Sequence, residues 1–412
     1  MVIPSYWARE SEFGWKEGDA IYDHPTPLDK EGTLYRIIKS VNILKDKNFQ
    51  LVILAVATSE DIETKVEEKV ANIIKSASDG IGVEVMLFGP SHLKKINDLL
   101  ISEDRKEYID LLKLQGYSNI RNLCMFIPHV LSSDIAVLID DDEVFEDPDF
   151  MSKAKEFIGK NLGGETINAV AGYYLQPDGD YLVKRPFQTW MKYWDKYERM
   201  NEAFSEVIGT EPRLKETPFV FGGNMVIHRN LFTVVPFDPN VPRGEDIDFL
   251  INTRMFGFSF FLDNKLSIKH LPPPKSHPTW TQLREDIYRF VYEREKIEGQ
   301  RDIKGLTKVY PEDFGSYPGA FLKKDLERKI EESCKLLSEE YRVKGEIKDS
   351  EEALKNIVLA KTDAVPKFNP FQTLCEMQKD WQELMEYTKR KEVCLSIKKI
   401  IEGGERISDK KG

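Results

Sequence analysis

The chain has 412 residues, a net charge of −11, and 31% charged against 41% hydrophobic residues, a balance that supports packed cores and excludes a disordered polymer. The acidic surplus excludes nonspecific nucleic-acid binding, which needs basic surface to displace counterions. The longest apolar runs, such as residues 51–57, are too short to cross a bilayer, and no basic-then-apolar segment opens the sequence, which predicts a cytoplasmic protein.

The first twenty residues are aromatic and polar without a clear period, and they read as a lead-in packed on the surface. A short strand is predicted over residues 20–23, followed by the loop His24-Pro25-Thr26-Pro27. Leu34, Ile37, Ile38, Val41 and Leu44 recur at helical spacing. Residues 51–57 form a buried strand. Thr58 and Asp61 match a capping box ahead of a helix whose apolar stripe is Ile62, Val66, Val70, Ile73 and Ala77. A further strand is predicted over 83–88, and helical sequence over 94–114. Residues 135–139 are an unbroken apolar run, as in a strand buried on both faces. Strand and helix alternate, which predicts a mostly parallel α/β sheet flanked by helices.

After the next strand, at 169–175, Trp190, Tyr193, Trp194 and Tyr197 fall within one helix length and read as packing or as a stacking platform for a sugar. Near residue 300 the composition turns to long charged helices. The sequence therefore divides into a sheet domain, 1–300, and an α-helical extension, 301–412, that packs on that domain or on another subunit. In the extension Phe321, Leu326, Ile330, Cys334, Leu337 and Tyr341 form one stripe. Leu374, Met377, Trp381, Leu384, Leu395 and Ile401 form another, and Asp349 suits an N-cap between them. Residues 403–412 read as a frayed tail. Cys124, Cys334, Cys375 and Cys394 are scattered without a C-x-x-C pair, which predicts four buried thiols rather than a zinc site or a disulfide framework.

The strand at 135–139 ends in Asp140, Asp141 and Asp142, with Glu143 next. Like charges this close repel, so the cluster favours a bound cation: a divalent ion on Asp140 and Asp142, handed to a phosphate-bearing substrate. A solvated acidic turn is the plain alternative. Arg121, upstream in Ser118-Asn-Ile-Arg-Asn122, offers a planar fork of donors for phosphate or carboxylate, or is a surface charge. Gly222 and Gly223 interrupt an apolar segment, where a ligand or a bulge could need them. Glu245 and Asp246, in Arg243-Gly-Glu-Asp-Ile-Asp248, stand where a helix begins and could simply cap it. His270 closes a strand before three prolines, as a structural residue or a metal ligand.

Taken in order, the Pro-Thr loop, SNIRN, strand-DDDE, GGN, GEDIDF and strand-x-His resemble the family-2 glycosyltransferases and their GT-A-fold relatives over roughly residues 20–290. The resemblance implies a Rossmann-like GT-A domain and hexosyl transfer from a UDP- or GDP-sugar to an acceptor hydroxyl on a small solute, a lipid-linked sugar or a glycan. It places Pro25 and Thr26 against the nucleotide, with Arg121, Asp140, Asp141, Gly222 and Gly223 around nucleotide and sugar. It gives Mn²⁺ or Mg²⁺ to Asp142 and His270, with Asp140 on the ribose or the ion. Asp246 is the expected base, with Glu245 in reserve, and a base there implies inversion at the anomeric carbon. Two departures stand out: the first strand lacks a valine and isoleucine run, and the Q-x-x-R-W motif of processive synthases is absent, although Trp280 and Arg284 are present. A single, non-processive transfer follows. A retaining enzyme of the same fold, and a nucleotide-binding or scaffold protein without catalysis, are the alternatives. The C-terminal helices also offer a surface for self-association.

Overall fold

The computed structural model describes residues 1–273 and 277–403. In chain order the strands are β1 (Val2–Ala8), β2 (Thr26–Pro27), β3 (Leu51–Ala57), β4 (Val85–Phe88), β5 (Ile135–Ile139), β6 (Glu143–Val144), β7 (Asn161–Leu162), β8 (Glu165–Thr166), β9 (Ala169–Leu175), β10 (Leu214–Glu216), β11 (Asn224–His228) and β12 (Phe261–His270). The helices are α1 (Leu34–Ser40), α2 (Glu63–Ala77), α3 (Pro90–Ser102), α4 (Tyr117–Val130), α5 (Phe150–Glu156), α6 (Lys196–Val207), α7 (Arg229–Phe232), α8 (Glu245–Met255) and α9 (Thr279–Glu298). They are followed by α10 (Leu326–Val343), α11 (Ile347–Leu359), α12 (Pro370–Thr388) and α13 (Lys391–Gly403).

The main sheet runs β10-β12-β9-β11-β5-β1-β3-β4. β5, β1, β3 and β4 are parallel, as are β9 and β12, while β11 is antiparallel between β5 and β9. Alternate side chains feed two cores. Ile3, Trp7, Ile53 and Ala55 pack with α1, α2 and α5, whereas Val2, Tyr6, Leu54 and Val56 pack with α3, α4 and the C-terminal helices. The alternating α/β architecture thus matches the sequence reading.

The expected lead-in is instead a central strand. β1 carries Pro4, which normally bars a segment from a sheet interior because it lacks an N–H. Met1 and Trp7 carbonyls accept from Val52 and Thr58, so odd positions of β1 address β3 and even ones address β5. β1 pairs with β5 only at Val2 and Leu138. Pro4 therefore faces the side where the ladder has already ended, and its missing N–H costs no bond. The strand predicted at 20–23 does not form, and those residues run as loop.

Other expectations shift locally. No side-chain cap forms before α2, because Asp61 is held by Arg9 at 2.6 Å and by Ser59. Ile74 rather than Ile73 completes the buried stripe of α2. Asp349 lies in the first turn of α11 and accepts the Trp280 indole N–H at 2.7 Å. Cys124 and Cys334 are buried, but Cys375 and Cys394 are only half-buried. Leu395 is exposed, so the last stripe is carried by Ile397 and Ile401. The tail expected at 403–412 lies, beyond Gly403, outside the described residues. Among the described residues no helix is long and apolar enough to cross a membrane.

The C-terminal helices share the core that covers one face of the sheet. Trp381 of α12 is fully buried and donates to the Phe232 carbonyl at 2.9 Å; a buried side chain of this size contributes about 3–5 kcal/mol. His129 of α4 donates through Nε2 to the Met385 carbonyl at 2.9 Å, closing the same seam. α8 is tied to α9 by Lys296, whose ammonium lies 2.9 Å from Asp238 and 2.6 Å from Asp248, all three fully buried.

Burial pushes the His129 imidazole down from 6.5 to about 4. The unfolded chain then binds this proton as pH falls through 6.5 while the folded chain does not, so stability is lost between pH 6.5 and 4. His129→Gln keeps a donor for Met385 and removes the titration. Urea unfolding should show the variant losing about 2 kcal/mol less than the parent between pH 7 and pH 5; identical losses would disprove this.

Candidate functional site

The site lies at the carboxyl ends of β1 and β5, the usual ligand crevice of an open α/β sheet. The parting of β1 and β5 after Val2 leaves side chains to span the gap. Ser5 donates to Asp141 at 2.6 Å and accepts from the Trp7 indole at 2.9 Å.

β6 fixes the next feature. It pairs antiparallel with the end of β12, in the register His270 to Glu143, and the Leu271 N–H donates to the Asp142 carbonyl at 2.8 Å. Arg36 clamps the same corner from α1, donating to the Leu271 carbonyl at 2.8 Å. Residues 128 positions apart, 142 and 270, thereby face each other, with His270 Nε2 3.3 Å from Asp142 Oδ2. Tyr174 of β9 stacks on the His270 ring at 4.8 Å and accepts the Gly223 N–H at 2.7 Å, so the imidazole is held from behind.

Arg121 is not a surface charge. Its side chain is 3% exposed and bridges Asp140 at 2.8 Å and Glu245 at 3.1 Å. One cation thus joins the end of β5 to the start of α8. Gly222 and Gly223 are required here by the protein's own groups rather than by a bulge. A Cβ on Gly222 would come within 2.8 Å of the Arg121 guanidinium, and one on Gly223 within 2.2 Å of Glu143 and 2.7 Å of Asp140.

Burial raises most of these carboxyls. Asp140 is raised against the pull of Arg121, Asp141 reaches about 8, and Glu143 rises well above the usual carboxylate range. Glu245 is likewise raised by burial, with Arg121 opposing. Burial also acts to raise Asp142, but the His270 hydrogen bond and charge outweigh it and hold this carboxyl low. Asp142 thus keeps its charge where burial raises its neighbours, and it is the carboxylate of the cluster placed to meet a cation. Asp142 and His270, paired with each other at 3.3 Å, are the side chains placed to share one. Among the described residues no three His, Cys, Asp or Glu side chains form a complete cage. An ion completed by substrate phosphates needs only one or two protein carboxylates.

A cleft of about 530 Å³ opens above this cluster, a size suited to a small organic ligand. Its lining includes Arg121, Asp140, Asp141, Asp142, Gly222, Glu245, Asp246 and His270. Asp246 is the half-buried member of the acidic pair; its carboxylate accepts the N–H groups of Gly222 at 3.1 Å and Ile247 at 2.8 Å. Pro25 and Thr26 are not in the lining. Thr26 is buried beside β1, opposite Trp7, and the preceding Asp23 and His24 reach the cleft instead. That loop is anchored by Arg243, 2.9 Å from Asp23, and by Tyr117, which accepts the Asp23 N–H at 2.6 Å. Tyr6, Tyr22 and Tyr117 pack as a ring trio beneath it, with centroids 4.6–5.4 Å apart.

Sequence reading missed His24, Tyr174, Lys196, Arg243, Asp286 and Arg289, which also line the cleft. Two of them carried a signal: Arg243 directly precedes the GED motif, and His24 heads the Pro-Thr loop. Trp190 and Trp194 are buried in packing, while Tyr197 reaches the cleft. Trp280 and Arg284 brace α9 on α11, where Arg284 meets Glu352 at 2.7 Å, and take no part in the cleft.

No family model matches this sequence, and no curated protein is similar to it. Among solved structures, the chain is similar to a mannosyltransferase of Pyrobaculum calidifontis determined with GDP-Man and Mn²⁺. They share 13% identity over 95% of this chain and 86% of that one, with a TM-score of 0.47. It is also similar to GalNAc-T7 determined with UDP, GalNAc and Mn²⁺, at 13% identity over 72% and 51% of the two chains and a TM-score of 0.33. TarS of S. aureus aligns at 11% identity over 94% and 54%, with a TM-score of 0.37.

Gly223→Ala tests the packing of the carboxylates, because its methyl must displace Asp140 or Glu143. Overpacking of this kind costs about 1–3 kcal/mol. Thermal unfolding should fall accordingly, and an unchanged midpoint would show that the carboxylates yield without cost.

Proposed function

We propose that this chain is a glycosyltransferase that moves a sugar from a nucleotide-diphosphate sugar to an acceptor hydroxyl, with Mn²⁺ or Mg²⁺ as its cofactor. The observation that carries this is the pairing of β6 with β12, which sets Asp142 against His270 in a cleft that Asp246 shares.

Asp142 and His270 fit the ion: one hard carboxylate and one imidazole, 3.3 Å apart on the cleft wall. When bound, the ion would neutralise the charge of the departing diphosphate, an effect worth several kcal/mol in metal catalysis. The other steps belong to side chains. Asp140, steadied by Arg121, and Asp141, tied to Ser5, face the nucleotide. Tyr6, Tyr117 and His24 supply ring surface for the base in place of the expected Pro25 and Thr26. Gly222 keeps the floor of the donor pocket free of side chains.

Asp246 takes the proton from the acceptor hydroxyl as that oxygen attacks the anomeric carbon. Two backbone donors fix its orientation, and it is open to the cleft, which general-base geometry requires. Glu245 is committed to Arg121 and serves as support. Direct attack by an acceptor activated in this way inverts the anomeric centre.

A thermal-shift panel of UDP-, GDP- and dTDP-sugars, each with and without Mn²⁺ or Mg²⁺, identifies the donor. At a hundredfold excess over Kd the ligand should add about 2.7 kcal/mol to stability. Asp142→Asn should remove the metal-dependent part of that shift, and the absence of any such shift in the parent protein would overturn the reading. Asp246→Asn should keep the donor shift while turnover, followed as nucleoside diphosphate release with an acceptor, drops about 10²- to 10⁴-fold. Undiminished turnover would remove Asp246 from its role.

A further inference from the structure

One wall of the cleft, built by α6 and α9, carries positive charge that the proposed donor chemistry does not use. Lys196 and Arg243 hold the two oxygens of Asp286: the ammonium binds Oδ2, and the guanidinium lies 3.1 Å from Oδ1. Arg289, one turn along α9, is a third cation acting on the same carboxylate. Its Nε is buried without a hydrogen-bond partner, and Glu293 stands 3.7 Å away. Burial raises the Glu293 carboxyl, with Arg289 opposing, and this carboxyl is not among the cleft-lining groups. Arg243 shares its other face with Asp23. At the mouth of the same cleft Arg185, exposed, lies 5.5 Å over the Tyr197 ring.

The lining of this wall thus sets Arg185, Lys196, Arg243 and Arg289 against the carboxylates of Asp23 and Asp286. Burial, with Arg243 and Arg289 close by, outweighs Asp286 and pulls the Lys196 ammonium down to about 8. Buried cations in excess are stabilised by an added anion.

We propose that the acceptor carries an anionic group, a carboxylate or phosphate, seated on Lys196, Arg243 and Arg289. This rests on the glycosyl-transfer reading and names its acceptor class. Arg289 packs on Gly244, where a Cβ would come within 1.8 Å of its guanidinium, two residues before Asp246. An anion held there brings a neighbouring hydroxyl to the base. Guanidinium groups suit such an anion because they present paired donors.

Calorimetric titration of the full chain with glycerol 3-phosphate, glycerate and glycerol, without donor, reads this directly. The two anions should bind and glycerol should not. Lys196→Gln should weaken anion binding about 10- to 100-fold, the range for a charge-assisted hydrogen bond. Arg185→Gln, at an exposed position that leaves folding intact, should weaken it a few-fold. Vesicles of phosphatidylglycerol, titrated in parallel, tell a lipid-borne phosphate from a small soluble one. Equal affinity for glycerol, no anion binding, or unchanged affinity in both variants overturns the proposal. Anion binding lost beside an intact nucleotide shift removes this inference alone. Anion binding without any nucleotide shift removes the glycosyl-transfer reading and the acceptor with it.

Discussion

A single buried guanidinium governs the geometry of the cleft. Arg121 is enclosed by protein yet answers two carboxylates, Asp140 at the end of β5 and Glu245 at the start of α8. Burying charge is costly unless the partners are well placed, and losing one member strands the others. The position of α8 relative to the sheet is therefore set by electrostatics as much as by packing. The neighbouring glycines obey the same constraint, since any side chain at Gly222 would occupy the guanidinium's place.

The rest of the site hangs from this junction by backbone pairing. β6 carries the acidic cluster across to β12, and Tyr174 backs the imidazole that arrives there. Lys296 then fixes α9 to α8 through Asp248 and Asp238, so Asp246, Asp286 and Arg289 belong to one braced pair of helices. The acidic and basic parts of the cleft thus meet on the same two helices, with Arg289 packed against Gly244 directly before Glu245.

Much of this was legible in the sequence, for physical reasons. Buried strands such as β3 and β5 announce themselves because both faces need apolar side chains, and the acidic cluster stands out because it closes such a run. β1 was hidden because Pro4, Ser5 and Tyr6 look unlike a central strand, and only the missing ladder beside Pro4 makes them acceptable. Arg121 was visible as a donor, but its commitment to Asp140 and Glu245 depends on contacts across 19 and 124 positions. The basic wall was illegible as a wall: Lys196 and Arg289 each alone read as an ordinary surface charge, and Arg243 was marked only by preceding the GED motif. Their convergence on Asp286 is a property of the fold.

α9 serves two masters along its length. Asp286 and Arg289 turn toward the cleft, while Trp280 and Arg284 are gripped by Asp349, Glu352 and Asn356 of α11. A closely packed interior transmits strain, so a change on one side of such a rod is felt on the other. Arg185 is under no such obligation: it sits in exposed chain between β9 and α6 and rests on one aromatic ring. Evolutionary drift in recognition thus has room at this rim and little on α9. Related chains with different tastes would be expected to diverge first in the stretch that follows β9, leaving the helix behind it nearly untouched.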